Sequence, residues 1–329
     1  MGLTRAWGRG MIHCMITTPA VLILGAGASM PFGYPSGSGL HELVCTAIEE
    51  NQTQDPFFYY MKMAGFDDTN VRKFGHALRR GGASVDAFLE ARDEFHKVGK
   101  AAMGYFLAQV ENEDKLFAKM GSGDKGNWYW SLANAIDAYF YELQDNKLTI
   151  VTFNYDRSLE HFLFTHLKEK FKEDDAAVAN QLKGLGFIHL HGQLGALPWQ
   201  DREEPKREYG CVNDNDVAES AKGIQIISEA QEEGPDFEAA WAAIGNAHRI
   251  YFLGFGYHST NLERLRLSAA RNGASIAGTI MGLTAYEIAK VRMQIRECLT
   301  SRAKQASIEV NLVGDGCFNF FRRQEGRLD

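Results

Sequence analysis

The chain predicts an α/β fold: a doubly wound, Rossmann-like parallel sheet that carries an all-helical insertion. From Leu148 onwards, short aliphatic runs alternate with helix-spaced segments, the pattern of strands joined by helices that cover both faces of a parallel sheet. Near the start, Val21-Leu22-Ile23-Leu24 runs into Gly25-Ala26-Gly27-Ala28-Ser29, a strand closed by a glycine turn. Between these regions the strand signal fades and the spacing reads as helix. At 329 residues, 45% of them hydrophobic, the chain can bury a full core.

In order, the aliphatic run over 20–24 is the first strand. After Ser36, the residues Leu40, Leu43, Val44, Ala47 and Ile48 recur at helical spacing. In the segment 51–146, Ser84 is placed to N-cap a helix whose Val85, Phe88, Leu89 and Phe95 share a face. A second helix is predicted from Trp128 to Leu143, presenting Leu132, Ile136, Tyr139, Phe140 and Leu143. A strand over 148–153, a helix over 157–170 and a strand over 186–190 follow. The stretch 192–223 has mixed charge, Pro198, Pro205 and no period, and reads as a long loop. Beyond it come a helix over 236–247, a strand over 249–253, a helix from Asn261, a strand over 275–283, a helix over 285–302 and a strand over 307–313. This divides the chain into a discontinuous nucleotide-binding domain (18–50 and 147–320), a helical insertion (51–146), a leader (1–17) and a tail (321–329).

Charge and cysteine usage narrow the function. Lys plus Arg number 35 against 42 Asp plus Glu, a net charge of -7, and no long basic run is present to neutralise a phosphate backbone, so direct nucleic-acid binding is disfavoured. The five cysteines (Cys14, Cys45, Cys211, Cys298, Cys317) are odd in number and form no Cys-x-x-Cys pair, which reads as reduced thiols in a cytoplasmic protein. Arg5, Arg9 and the apolar run over 20–24 imitate a secretory signal, but the run is short and flows into the glycine pattern. No apolar stretch is long enough to span a bilayer.

Three clusters fall at predicted strand ends, where open parallel sheets bind ligands. The first is Gly25-Ala26-Gly27-Ala28-Ser29, whose glycines would let backbone N–H groups approach a pyrophosphate; an unliganded tight turn is the plainer alternative. The usual third glycine is missing, with Met30 and Pro31 in its region, which argues against an ordinary dehydrogenase. The second is Thr152-Phe153-Asn154-Tyr155-Asp156, in which Asn154 either meets a ligand or caps the next helix. The third is His189-Leu190-His191-Gly192. On a continuous strand its two histidines would point to one side, but no third metal ligand accompanies them, and no metal site is expected.

Taken together, Gly-Ala-Gly-x-Ser, the following Gly33-Tyr34-Pro35-Ser36, Thr-x-Asn-x-Asp and His-Gly, in that order, resemble the sirtuin superfamily. The resemblance runs from about Ala20 to Phe318. It extends to Gly254-Phe255-Gly256-Tyr257, similar to that family's later glycine loop, and loosely to Gly314-Asp315-Gly316-Cys317, similar to the stretch that closes over adenine. The zinc module of the deacetylating members is absent, with only Cys211 in that region, and Ser36-Gly37-Ser38 stands where they carry Asp-Phe-Arg. The chain therefore resembles the NAD-consuming branch of prokaryotic antiphage defence, a likeness that Phe153 and Leu159-Glu160 also suit.

The resemblance implies an NAD+ hydrolase that releases nicotinamide and ADP-ribose. NAD is its substrate, Asn154 and His191 are the catalytic pair, and Gly25, Ala26, Gly27, Ser29, Pro35, Ser36, Asp156, Gly254, Gly256 and Cys317 form the nucleotide site. Loss of a cationic nicotinamide leaves an oxocarbenium-like ribose, as in glycoside hydrolysis. N–H groups over 27–29 would hold the phosphates, Asp156 would accept from the carboxamide, Asn154 would position water or a ribose hydroxyl, and His191 would act as general base. A non-catalytic NAD or ADP-ribose sensor and an ADP-ribosyltransferase are the alternatives. The aromatic run Phe57-Phe58-Tyr59-Tyr60 is either a core cap or an exposed face for self-assembly or an activating partner protein.

Overall fold

The computed structural model describes residues 15–50, 56–82, 84–118, 126–226, 234–299, 301–324 and 328. Six strands form one all-parallel sheet, β1 (Ala20–Leu24), β2 (Leu148–Thr152), β3 (Phe187–His189), β4 (Arg249–Leu253), β5 (Ser275–Thr279) and β6 (Glu309–Val313), in the order β3-β2-β1-β4-β5-β6. A central strand meets core on both faces, which is why β1 reads as an unbroken aliphatic run. Its alternate side chains part accordingly. Ala20, Leu22 and Leu24 join one apolar cluster with Ile150, Tyr251 and Leu253, while Val21 and Ile23 join the other with Val151, Ile250 and Phe252. Helices cover both faces, so the doubly wound α/β class is the observed one.

The two faces are clad unequally. On the first lie α1 (Gly37–Glu50), α2 (Pro56–Met63), α3 (Asp68–Gly81), α4 (Val85–Glu90), α5 (His96–Gln109), α6 (Glu113–Phe117) and α7 (Trp128–Ala135), followed by α8 (Ser158–Phe171), α9 (Asp175–Leu182) and α10 (Asp214–Ala221). On the second lie α11 (Pro235–Asn246), α12 (Ser259–Arg264) and α13 (Ala285–Cys298). The short α14 (Arg302–Ser307) precedes β6, and α15 (Cys317–Arg323) returns to the first face. The helices between α1 and β2 share one continuous core with the sheet. Trp128, fully buried, donates its indole N–H to Ala28 O at 2.8 Å and thereby joins the helical segment to the first glycine loop.

Several expectations are corrected. The helix from Trp128 stops at Ala135, followed by a 3-10 segment over Phe140–Asp145. Asn146 stabilises this arrangement, because its amide donates to Ile136 O at 3.1 Å, just past the helix end, and to Leu143 O at 3.0 Å, within the 3-10 segment. The stretch 192–223 is not wholly a loop. It contains α10, capped by Asn213 and packed so tightly on α5 that a Cβ on Gly104 would lie 2.6 Å from that of Ala221. The strand expected over 275–283 ends at Thr279, and the helix expected over 285–302 ends at Cys298. Ser84 does cap α4, accepting from Ala87 N at 3.2 Å, although Phe95 lies beyond it in a separate turn.

In the aromatic run, Phe57, Phe58 and Tyr60 are core and only Tyr59 is exposed, which is the core alternative of the two. Helical spacing sends Phe57, Tyr60 and Met61 inward together. Among the described residues no helix is long and apolar enough to cross a membrane. The signal-like residues Arg5 and Arg9, and Cys14, lie outside the described residues.

Candidate functional site

The chain leaves β1 towards β2 and later returns to pair β4 on its other side, so the carboxyl ends of β1 and β4 define a topological switch point. Two glycine loops meet there. Gly25 N donates to Leu253 O at 3.1 Å and Gly27 N to Gly254 O at 2.9 Å. A Cβ on Gly27 would stand 2.8 Å from Gly254 Cα, and one on Gly254, whose φ is +56°, would stand 2.0 Å from Ala28 N. The glycines are therefore required by the interlock of the two loops, a different reason from room for a pyrophosphate.

The interlock also corrects the expected phosphate cradle. The N–H groups of Gly27, Ala28 and Ser29 already donate to Gly254 O, Gly25 O and Ala26 O. Ala26 and the exposed Gly256 remain at the rim, and their N–H groups make no hydrogen bond among the described residues. Any anion held here would meet those donors.

Asn154, Ser29 and Asp156 form one hydrogen-bonded unit across β1 and β2. The half-buried Asn154 donates from Nδ2 to Gly25 O at 3.0 Å and to Ser29 Oγ at 3.1 Å, and Ser29 Oγ donates to Asp156 Oδ2 at 2.7 Å. Asp156 Oδ1 accepts from the N–H and hydroxyl of Ser158, whose hydroxyl also bonds Tyr129 at 2.6 Å. Burial pushes the Asp156 carboxyl upward, and the Ser158 and Ser29 hydrogen bonds oppose this only in part. Its oxygens are committed to the protein, so the structure gives Asp156 a holding role where contact with a carboxamide was expected. Asn154 Oδ1 accepts no hydrogen bond among the described residues.

The two histidines part company because β3 ends at His189. His189, fully buried, places Nδ1 3.1 Å from Asn154 O and Nε2 2.5 Å from Glu160 Oε1. A carbonyl can only accept, so Nδ1 carries a proton, and Nε2 shares one with the carboxylate. Burial raises the Glu160 carboxyl, but the charge and hydrogen bond of His189 outweigh it and hold the group below its ordinary range. This pair braces the Asn154 backbone from below. His191 turns elsewhere, its ring 5.3 Å from Phe153 and 6.5 Å from Tyr155, the residues on either side of Asn154. Its Nε2 lies 3.4 Å from Arg264 Nη1, and burial followed by the Arg264 charge lowers its pKa to about 4. His191 is thus neutral at pH 7.

Of the other expected site residues, Ser36 caps α1, accepting from Gly39 N at 3.0 Å, with Pro35 beside it at the same helix start. Gly254 N donates to Thr279 Oγ1 at 2.9 Å. Cys317 starts α15 with a thiol that burial pushes up to about 12, so it packs behind the second glycine loop as a neutral group.

Five contributors escape sequence reading. Asp86 on α4 accepts from the Tyr155 hydroxyl, and burial raises its carboxyl despite that bond. Arg157, next to Asp156, is fully buried and bonds Glu111 at 2.8 Å, and Glu111 also takes Arg207 at 2.7 Å. Arg157 Nη1 further donates to Arg207 O at 2.7 Å, which fastens the strand-like stretch after His191 to the start of α8. Arg264 is the fifth. Nothing local marks any of them, since each partner is remote in sequence. No group of metal-ligating side chains occurs among the described residues. No protein-family model matches the chain, and no curated protein matches it.

Proposed function

We propose that the chain is an NAD+ glycohydrolase that cleaves NAD+ to nicotinamide and ADP-ribose. The observation that carries this reading is the convergence of Asn154 and His191 at the carboxyl ends of adjacent strands, beside the switch point where the two glycine loops meet. Ala26 N and Gly256 N would meet the phosphates. Asn154 Oδ1 would accept from a ribose hydroxyl or the attacking water, and the Ser29–Asp156 and His189–Glu160 pairs keep that amide oriented. Neutral His191 would take the proton as water adds to the oxocarbenium-like ribose. A role as an NAD-depleting effector of antiphage defence rests on the motif resemblance.

The second reading, a sensor that binds NAD or ADP-ribose and leaves it intact, is favoured by one observation: His191 Nε2 is already engaged by Arg264. Incubating the purified chain with NAD+ and separating the products decides between them. We expect nicotinamide and ADP-ribose from the wild type, and at least ~100-fold less from Asn154→Ala and His191→Ala, the minimum contribution typical of a proton-transfer group. Either folded variant cleaving at the wild-type rate would sink the mechanism. Recovery of intact, bound nucleotide would install the sensor.

A further inference from the structure

We propose that Arg264 is a movable cap on His191, and that the site cleaves NAD+ only when this side chain swings aside. The inference rests on the NAD+-cleaving reading above. A guanidinium has donors alone, so in the contact between Arg264 Nη1 and His191 Nε2 the ring nitrogen must be the acceptor. That nitrogen's lone pair is the one a general base would use. While Arg264 sits on it, the base is spent.

Charge points the same way. The nicotinamide ring is cationic before cleavage and the ribose gains positive charge during it, so a guanidinium beside His191 opposes both the bound substrate and the transition state.

The geometry assigns the motion to the side chain. At 3.4 Å the contact is long for a hydrogen bond, hence easily exchanged. The backbone of Arg264 is pinned, since its carbonyl accepts from Trp241 Nε1 at 2.7 Å and the Arg266 guanidinium stacks 3.5 Å from the Trp241 ring centre. Only the side chain needs to rotate. It borders a cleft of about 160 Å³ lined also by Phe237, Trp241, Thr260 and Glu263. That cleft is the volume into which the guanidinium would turn.

The test compares wild type with Arg264→Met, which keeps most of the stem and removes the charge, and with Arg266→Met as a control in the same cleft. The first readout is the His191 ring titration by NMR in labelled protein, assigned with His191→Asn. We expect the midpoint, about 4 in the wild type, to move upward in Arg264→Met and to stay in place in Arg266→Met. The second is NAD+ cleavage, expected to rise ~10-fold or more in Arg264→Met if the uncapped state is a minor population of the wild type. An unmoved titration overturns the cap, and so does a moved titration with no faster cleavage in a preparation whose wild type cleaves NAD+. If neither protein cleaves, faster modification of His191 by diethyl pyrocarbonate in Arg264→Met would uphold the cap while the NAD+ reading falls. Equal modification would overturn both.

Discussion

Glu111→Gln is expected to be among the most destabilising single substitutions in this chain. Glu111 sits between two guanidiniums with its side chain and that of Arg157 0% exposed and that of Arg207 1% exposed. It accepts from Arg157 Nε and Nη2 at 3.2 and 2.8 Å, from Arg207 Nη1 and Nη2 at 2.7 and 2.8 Å, and from Gly210 N at 2.9 Å. An amide retains one acceptor oxygen and turns an NH2 towards a cation. Breaking one buried ion pair costs about 3–5 kcal/mol, because the remaining charge stays desolvated; here two cations are stranded, which places the cost at the upper end. With a urea slope of about 3 kcal/mol/M, the midpoint should fall by roughly 1.3–1.7 M. Urea unfolding followed by circular dichroism measures it. A shift below about 0.5 M at unchanged slope would refute the claim that this carboxylate balances two buried charges. The triple replacement Glu111→Leu, Arg157→Met, Arg207→Leu should recover part of the loss and not all, since Ala196 O and Cys211 O would then lose their guanidinium donors.

Other outcomes follow from the same geometry. The folded-state pKa of His191 lies at about 4, below its ordinary value, so the unfolded chain binds the extra proton first as pH falls. Stability from this residue is therefore full above pH 6.5 and lost between there and about 4, by about 3 kcal/mol in all, and the difference between wild type and His191→Asn in unfolding experiments across that window should show it. Gly254→Ala should destabilise far more than Gly273→Ala, although both have positive φ, because only the first would press a Cβ onto backbone; the second should cost about 1–2 kcal/mol, and similar melting temperatures for the two would refute the interlock. Chelator treatment is expected to leave NAD+ cleavage unchanged, and a loss restored by added zinc would overturn that expectation.

What the sequence made legible is what depends on near neighbours. Strands β1 and β2 stand out because burial on both faces demands consecutive aliphatic residues, and the three motifs stand out because each directly ends a strand. Helix α10 was hidden because only Val217, Ser220 and Ala221 are buried among acidic residues, and its place depends on α5, far away in the chain. Arg157 begins the helix predicted over 157–170 with nothing local to mark its burial, which Glu111 and the carbonyls of Ala196 and Arg207 compensate from far along the chain. In the candidate site, Asn154 and His191 were named from the motif resemblance. The commitment of Asp156 to Ser29 and Ser158, and the contact of Arg264 with His191, required tertiary structure.

The place of β1 at the centre of the sheet has a consequence for synthesis. This strand leaves the ribosome before both of its partners, residues 148–152 and 249–253. At about 5–20 residues per second, Val21-Leu22-Ile23-Leu24 waits roughly ten to forty-five seconds before both edges can be paired. An unpaired aliphatic strand is adhesive throughout that interval. The helices encoded between β1 and β2 emerge during the wait and share the first-face core with Leu22 and Leu24, so they are the earliest structure able to shelter the nascent strand.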